Sequence, residues 1–206
     1  TSHKLRPELI LLVVLAVLLV LCVLAAMTSC LLAKSRGVFC RSQVGKACRS
    51  LARRGGHLYL ENVTLPGAEG KPVHMDHIVA GTFGVLVFNC YDYQGDLYGN
   101  PKDQQWHLYK KEEKKASFRN PLPQCQAAVT ALRQAFAKEK VYNVTQIETF
   151  LVFGNGVRLN TPREAGGVAI LRLRQVKPLL HREKYMMDHK VSPQQMAEAI
   201  RANGIH

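Results

Sequence analysis

The stretch GVLVFNCYDYQG, residues 84–95, decides the fold. Val85, Val87 and Asn89 alternate with Leu86, Phe88 and Cys90, so the two sets point to opposite faces of a strand. Both sets are apolar until Asn89, which is the pattern of a buried strand covered on each side. The run then ends on an asparagine, with Tyr91 two residues further along the same face, before the turn at Gln94-Gly95.

Working outward, HLYLENVTLP (57–66) is a strand with Leu58, Leu60 and Val63 as its apolar positions, closed by Pro66-Gly67. VHMDHIVAG (73–81) is a second strand, and the Gly81–Gly84 turn joins it to the opening stretch, so 57–91 reads as an antiparallel meander. Upstream, RSQVGKACRSLARR (41–54) places Val44, Cys48, Leu51 and Ala52 on one helical face and stops at Gly55-Gly56. Downstream, QWHLYK (105–110) is a fourth strand that runs into a charged KKEEKK tip. Residues 121–140 are helical, with Cys125, Ala128, Val129, Leu132 and Phe136 at helical spacing. TFLVFGN (149–155) and VAILRL (168–173) are two further strands. Ser192, Pro193 and Gln195 open a final helix that Gly204 stops. There is no internal repeat, no low-complexity linker and no second domain. The class is α/β: a mixed sheet flanked by helices.

Residues 9–33 carry no charge, proline or glycine. At about 1.5 Å per residue they span roughly 36 Å, enough to cross a bilayer with some tilt. A cleavable signal peptide has a shorter apolar core, so an uncleaved single-pass anchor is expected. Lys4 and Arg6 precede it. Lys34, Arg36, Arg41, Lys46, Arg49, Arg53 and Arg54 follow it, with no acid from Lys34 to Arg54. The positive-inside rule then puts the C-terminal part in the cytoplasm of a bacterial cell, under the inner membrane. Six cysteines without a CxxC pair fit a reducing compartment. The net charge of +13 implies anionic partners. Lys34, Arg36, Arg41, Arg49, Arg53 and Arg54 are the expected contacts to anionic lipid headgroups.

Five segments in order and at fixed spacing carry a family likeness. They are HMDHIVAG with Asp76 and the turn at Gly84, YQGDLYG (93–99), Trp106, NPLPQ (120–124) and LVFGN (151–155). Over residues 42–180 the chain resembles the nuclease-related domain family, which is related by fold to the restriction-endonuclease-like, metal-dependent nucleases and often carries an N-terminal membrane helix. The chain is thus expected to divide into a short tail over 1–8, a transmembrane helix over 9–33, a basic juxtamembrane segment and first helix over 34–54, the nuclease-related domain over 42–180 that the resemblance implies, and a helical tail over 181–206.

The resemblance also implies a site. Such nucleases hold Mg²⁺ between two carboxylates on adjacent strands, with a lysine beside them. Asp76 matches the first carboxylate and Gln124 matches a glutamine of the pattern. Asn89 stands where the second carboxylate belongs, Tyr91 where the lysine belongs, and Lys46 where a first-helix glutamate belongs. A neutral amide is a poor ligand for a hard dication, and tyrosine carries no positive charge at neutral pH. No metal or other cofactor is therefore expected, and Mg²⁺ enters only if ligands have been relocated. Asp92 and Glu61 are the residues considered for that role, Asp92 turned away from Asn89 and Glu61 on another strand. His74 and His77 are expected on the strand face opposite Asp76. In place of a metal, Lys46 is expected to pair with Asp76, with Gln124 or Tyr91 adding a hydrogen bond.

Two main functions stay open on the sequence, with a lipid-sensing domain working through residues 34–54 as a third reading. One is a catalytically inactive, membrane-anchored accessory subunit of a larger bacterial membrane assembly. The other is a membrane-tethered protein that binds nucleic acid, or cleaves it with relocated residues.

Overall fold

The computed structural model describes residues 7–35, 38–110, 113–144 and 146–205. Helix α1, Pro7–Ser35, is apolar on every side, and its Ile10–Ser29 window is long and apolar enough to cross a membrane, with none of it buried against the rest of the chain. Lys4, Arg6 and Arg36 lie outside the described residues. Helix α2, Val38–Gly55, begins almost at once.

The expected meander forms. Strands β1 (Leu58–Pro66), β2 (Pro72–Gly81) and β3 (Gly84–Tyr91) pair antiparallel in sequence. Strand β3 opens on Gly84 at φ +118, where a Cβ would run into the Gln146 carbonyl, so only glycine suits the start of this strand. The chain then leaves for β4 (Gly95–Tyr98), β5 (Gln105–Lys110) and β6 (Glu113–Arg119) before helix α3, Leu122–Lys138. It returns as β7 (Ile147–Phe153), parallel to β3, and goes on through β8 (Val157–Asn160), β9 (Glu164–Ala165), β10 (Val168–Arg172) and the short helix α4, Leu173–Leu179. Helix α5, Pro193–Ala202, closes the chain, with Ser192 Oγ accepting from Gln195 N at 3.3 Å as a cap.

A six-stranded mixed sheet in the order β1-β2-β3-β7-β10-β9 results, flanked by helices on both faces. Helices α2 and α4 bury Val44, Cys48, Leu51 and Val176 against Leu86, Phe88 and Val152. On the other face α3 and α5 bury Ala128, Leu132, Met196 and Ile200 against Val85, Val87 and Met75. The alternation read for residues 85–90 therefore holds. The strand pattern extends further than the sequence suggested, because β6, β5, β4 and β8 form a second, four-stranded sheet. The charged stretch read as a tip after β5 is largely strand, Lys110 ending β5 and Glu113–Lys115 opening β6, an edge strand of mostly polar residues. Two stretches pass side by side from the first sheet to the second, after β3 and after β7. They are tied by Gly154 N to Tyr91 O at 2.9 Å and Gly95 N to Gly156 O at 3.1 Å.

One irregularity positions the site. On β2, Val73 and Met75 face the same core as Ile78 and Ala80, so the alternation reverses between Met75 and Ile78. Across from it on β1, Asn62 sits at φ +53 while the register on either side is kept. Asparagine tolerates this left-handed conformation better than most residues. Asp76 lies at the reversal, where the β2–β3 ladder stops after the His77–Phe88 pair.

Candidate functional site: a carboxylate held by arginine

Where β2 and β3 part, two backbone N–H groups lose their ladder partners, and side chains replace them. Asp76 N donates to Asn89 Oδ1 at 3.2 Å, and Cys90 N donates to Asp76 Oδ2 at 2.7 Å. Asp76 and Asn89 are each only 4% exposed, so leaving either N–H unpaired would be costly. Asn89 Nδ2 reaches Cys125 Sγ of α3 at 3.6 Å. The asparagine that ends the apolar run of β3 is thus a strand-splay clamp.

The second oxygen of Asp76 faces a cation. Arg41 Nη2, from the first turns of α2, stands 2.6 Å from Asp76 Oδ1, and His74 Nε2 stands 3.3 Å from the same atom. That oxygen is shut from water and has no aligned hydrogen-bond donor, so the contact with Arg41 is held by charge rather than by direction. His74 is itself fixed by Thr64 Oγ1 at 3.1 Å on Nδ1.

Lys46 does not reach Asp76, contrary to the sequence expectation. Arg41, Gly45 and Arg49 recur every four residues and share the side of α2 that faces β1 and β2. Lys46 lies about 100° further round, exposed, beside Ser50, Arg54 and Lys177. His74 also corrects the reading, because it shares Asp76's side of β2 instead of opposing it. Gln124 Nε2 bonds the His74 carbonyl at 3.3 Å and makes no bond to Asp76. Tyr91 is half-buried in a stack with Tyr93 and Phe153, their ring centroids 5.8 and 5.7 Å away. Burial pushes the Tyr91 hydroxyl up, with smaller contributions from Cys125, Tyr93 and Asp76, so it stays neutral.

Behind Asp76 a second network ties α2 to the sheet. His77 Nε2 meets the Arg41 carbonyl at 2.8 Å, and His77 Nδ1 meets Tyr59 Oη at 2.7 Å. A carbonyl can only accept, so Nε2 carries the proton, Nδ1 accepts, and Tyr59 donates. Burial lowers the His77 pKa despite the pull of Asp76, which agrees with that neutral tautomer. Arg49 Nη1 then donates to Tyr59 Oη at 3.3 Å and to Glu61 at 3.2 Å. A Cβ on Gly45 would sit 3.0 Å from His77 Cε1, which explains the glycine in this helix. Asp92 Oδ2 accepts from Cys40 N at 3.3 Å near the start of α2, a site that favours an acid. Glu61 and Asp92 are therefore both committed elsewhere.

These residues do not fit a divalent ion. One carboxylate has both oxygens committed, its neighbour is an amide, and an arginine stands where a dication would be held. Among the described residues no group of three His, Cys, Asp or Glu side chains is placed to bind a metal. Of the basic residues expected to meet anions, Arg41 and Arg49 turn inward to Asp76 and Glu61, Arg53 and Arg54 are exposed, and Lys34 lies at the end of α1.

The fold and the site together define a mixed-sheet α/β domain behind an apolar N-terminal helix. The family profile described as "Nuclease-related domain" matches residues 36–154, and the chain belongs to that family. The match runs from the start of α2 through β7 and contains Arg41, Asp76, Asn89, Tyr91 and Gln124. An uncharacterized protein of Bacillus anthracis is 34% identical over 89 residues, 39% of this chain and 41% of that protein, so the similarity spans about two fifths of the relative's length. No solved structure matches the chain.

Proposed function

We propose that this chain is a membrane-anchored, catalytically silent nuclease-related domain protein that works as an accessory subunit of a bacterial membrane assembly, its domain on the cytoplasmic side. The observation behind the silence is the Arg41 guanidinium against Asp76, with Asn89 in place of a second acid. An internal cation there neutralises the one remaining carboxylate and would repel a metal. The anchor reading is supported by α1, whose Ile10–Ser29 window is apolar all round and unburied. The test of silence uses the full chain with Mg²⁺ or Mn²⁺ and single- or double-stranded DNA or RNA. No cleavage above that of Asp76→Ala is expected, and metal-dependent cleavage abolished by Asp76→Ala would overturn the reading. The subunit role is tested by a photocrosslinker at Leu19 in cells. A discrete adduct with one other membrane protein is expected, and adducts with lipid alone would overturn it.

A second reading, nucleic-acid binding without cleavage, is favoured by one feature. A groove of about 500 Å³ is lined by Tyr91, Tyr93 and Phe118 with Arg119 beside them, and aromatic faces next to a cation suit stacked bases. Fluorescence anisotropy with oligothymidine decides it, since binding that weakens in Tyr93→Ala would be required.

A further inference from the structure

A pocket of about 480 Å³ lies between α2 and α4, on the face of the sheet away from α3. Its size is that of a ligand site rather than a packing flaw. One wall is apolar: Val176 is buried, and Phe39 and Leu173 are half-buried. Lys46, Arg54 and Lys177 are exposed around it, and no carboxylate lines it. Arg41 and Arg49, on the other side of α2, are spent on Asp76 and Glu61. Lys46 and Lys177 form no ion pair among the described residues. Arg54 gives one N–H to the Leu180 carbonyl at 3.4 Å and keeps the rest of its guanidinium.

Position supplies the remaining constraint. Phe39 is four residues beyond Ser35, the last residue of α1. An extended chain covers at most about 14 Å in four residues, so the pocket stays close to the foot of the apolar helix. A cationic rim over an apolar wall, held at that distance from a bilayer, matches a molecule with a negative head and a hydrocarbon body.

We propose that this pocket binds an anionic phospholipid of the bilayer, its phosphate among Lys46, Arg54 and Lys177 and its upper acyl chain against Phe39, Leu173 and Val176. The proposal rests on the reading of α1 as membrane-spanning. It gives Lys46, which does not meet Asp76, a ligand of its own. A nucleic-acid strand fits less well, because it needs a basic track along its backbone rather than three cations round a concave apolar wall.

The experiment uses the full chain in nanodiscs carrying a trace of diazirine-labelled phosphatidylglycerol or phosphatidylcholine, with labelled residues mapped by mass spectrometry. Phosphatidylglycerol is expected to label Phe39, Leu173 or Val176, and phosphatidylcholine is not. Both lipids should label Leu19 on α1, which reads the membrane span independently of the pocket. Neutralising two cations in Lys46→Gln/Lys177→Gln should cut pocket labelling about thirtyfold, from roughly fivefold per basic side chain, and leave Leu19 unchanged. Both lysines are exposed, so the variant should fold, which thermal unfolding checks. Equal pocket labelling by phosphatidylcholine, labelling unchanged in the double variant, or displacement of the lipid by inorganic phosphate or an oligonucleotide would each overturn the proposal. An unlabelled pocket beside a labelled Leu19 would overturn it while sparing the membrane reading. An unlabelled Leu19 would overturn the membrane reading itself.

Discussion

Arg41 Nη2 and Asp76 Oδ1 stand 2.6 Å apart, joining α2 to the point where β2 and β3 separate. The carboxylate is 5% exposed as a side chain and the guanidinium 44%, so the pair is shielded on one side only. Removing the buried partner of such a pair differs from removing the wet one, and that asymmetry gives the first prediction.

Arg41→Met should destabilise the protein by about 1–2 kcal/mol. A fully buried broken pair costs about 3–5 kcal/mol, discounted here because the arginine is well exposed. Adding Asp76→Asn should recover part of the loss, since the amide oxygen can still accept from Cys90 N and no charge is left bare. Lys46→Met should change stability by less than about 0.5 kcal/mol. Urea midpoints rank the three; a Lys46→Met loss as large as that of Arg41→Met would contradict the structure.

Stability should fall on acidification, and His77 should account for part of the fall. Burial lowers both His77 and His57 below the ordinary histidine value. The unfolded imidazoles, near pH 6.5, take up protons before the folded ones do, so stability is lost as pH drops through about 6.5. His77→Gln should reduce that slope by up to one proton, read from urea midpoints between pH 7.5 and 5. An unchanged slope would mean that His77 is charged in the fold.

Helix α5 should tolerate the loss of its cap better than the loss of its anchor. Ser192→Ala removes the bond to Gln195 N and should cost about 1 kcal/mol. Met196 is wholly buried, and Met196→Ala should cost about 2–5 kcal/mol. Equal losses in chemical denaturation would show that α5 is not seated on the sheet.

Cys125 should resist alkylation in the native protein. Burial pushes its thiol up to about 11, only partly offset by Asn89. At pH 8 about one thiol in a thousand is then ionised, and the thiolate is the reactive form. Iodoacetamide followed by peptide mapping should find Cys125 unmodified until denaturant is added. Rapid native labelling would place the β3–α3 contact in the open.

The elements with a clear period or cap were legible: the meander, α2, α3, α5 and β10 form close to where they were read, and β7 forms two residues earlier than the stretch read for it. The second sheet was not. Strands β4 and β8 have four residues each and β9 has two, too few to show alternation, and β6 is a polar edge strand that opens within the charged stretch. Helix α4 has seven residues and contains Pro178. At the site, Asp76, Asn89 and Tyr91 could be singled out from their strands, but the partner of Asp76 could not. The reversal at Asn62 and Asp76 breaks the alternation on which face assignments depend and turns His77 to the α2 side, whereas His74, two residues from Asp76, shares its side by simple alternation. Arg41 was within reach of sequence reasoning, because a helical wheel puts it in line with Gly45 and Arg49, away from Lys46.

The two crossings after β3 and β7, bound to each other through Gly154–Tyr91 and Gly95–Gly156, give the second sheet no single stalk on which to swing. The chain also returns twice, after β6 and after β8, so four covalent connections and the bonds between the crossings would all have to yield before it could detach. A protease that nicks the 99–104 turn should leave both fragments held together, and thermal melting should show one cooperative step rather than two. What looks on paper like an appended module is braced from several sides, sharing Leu97, Trp106 and Leu108 in one apolar layer with Leu151 and Phe153 of β7.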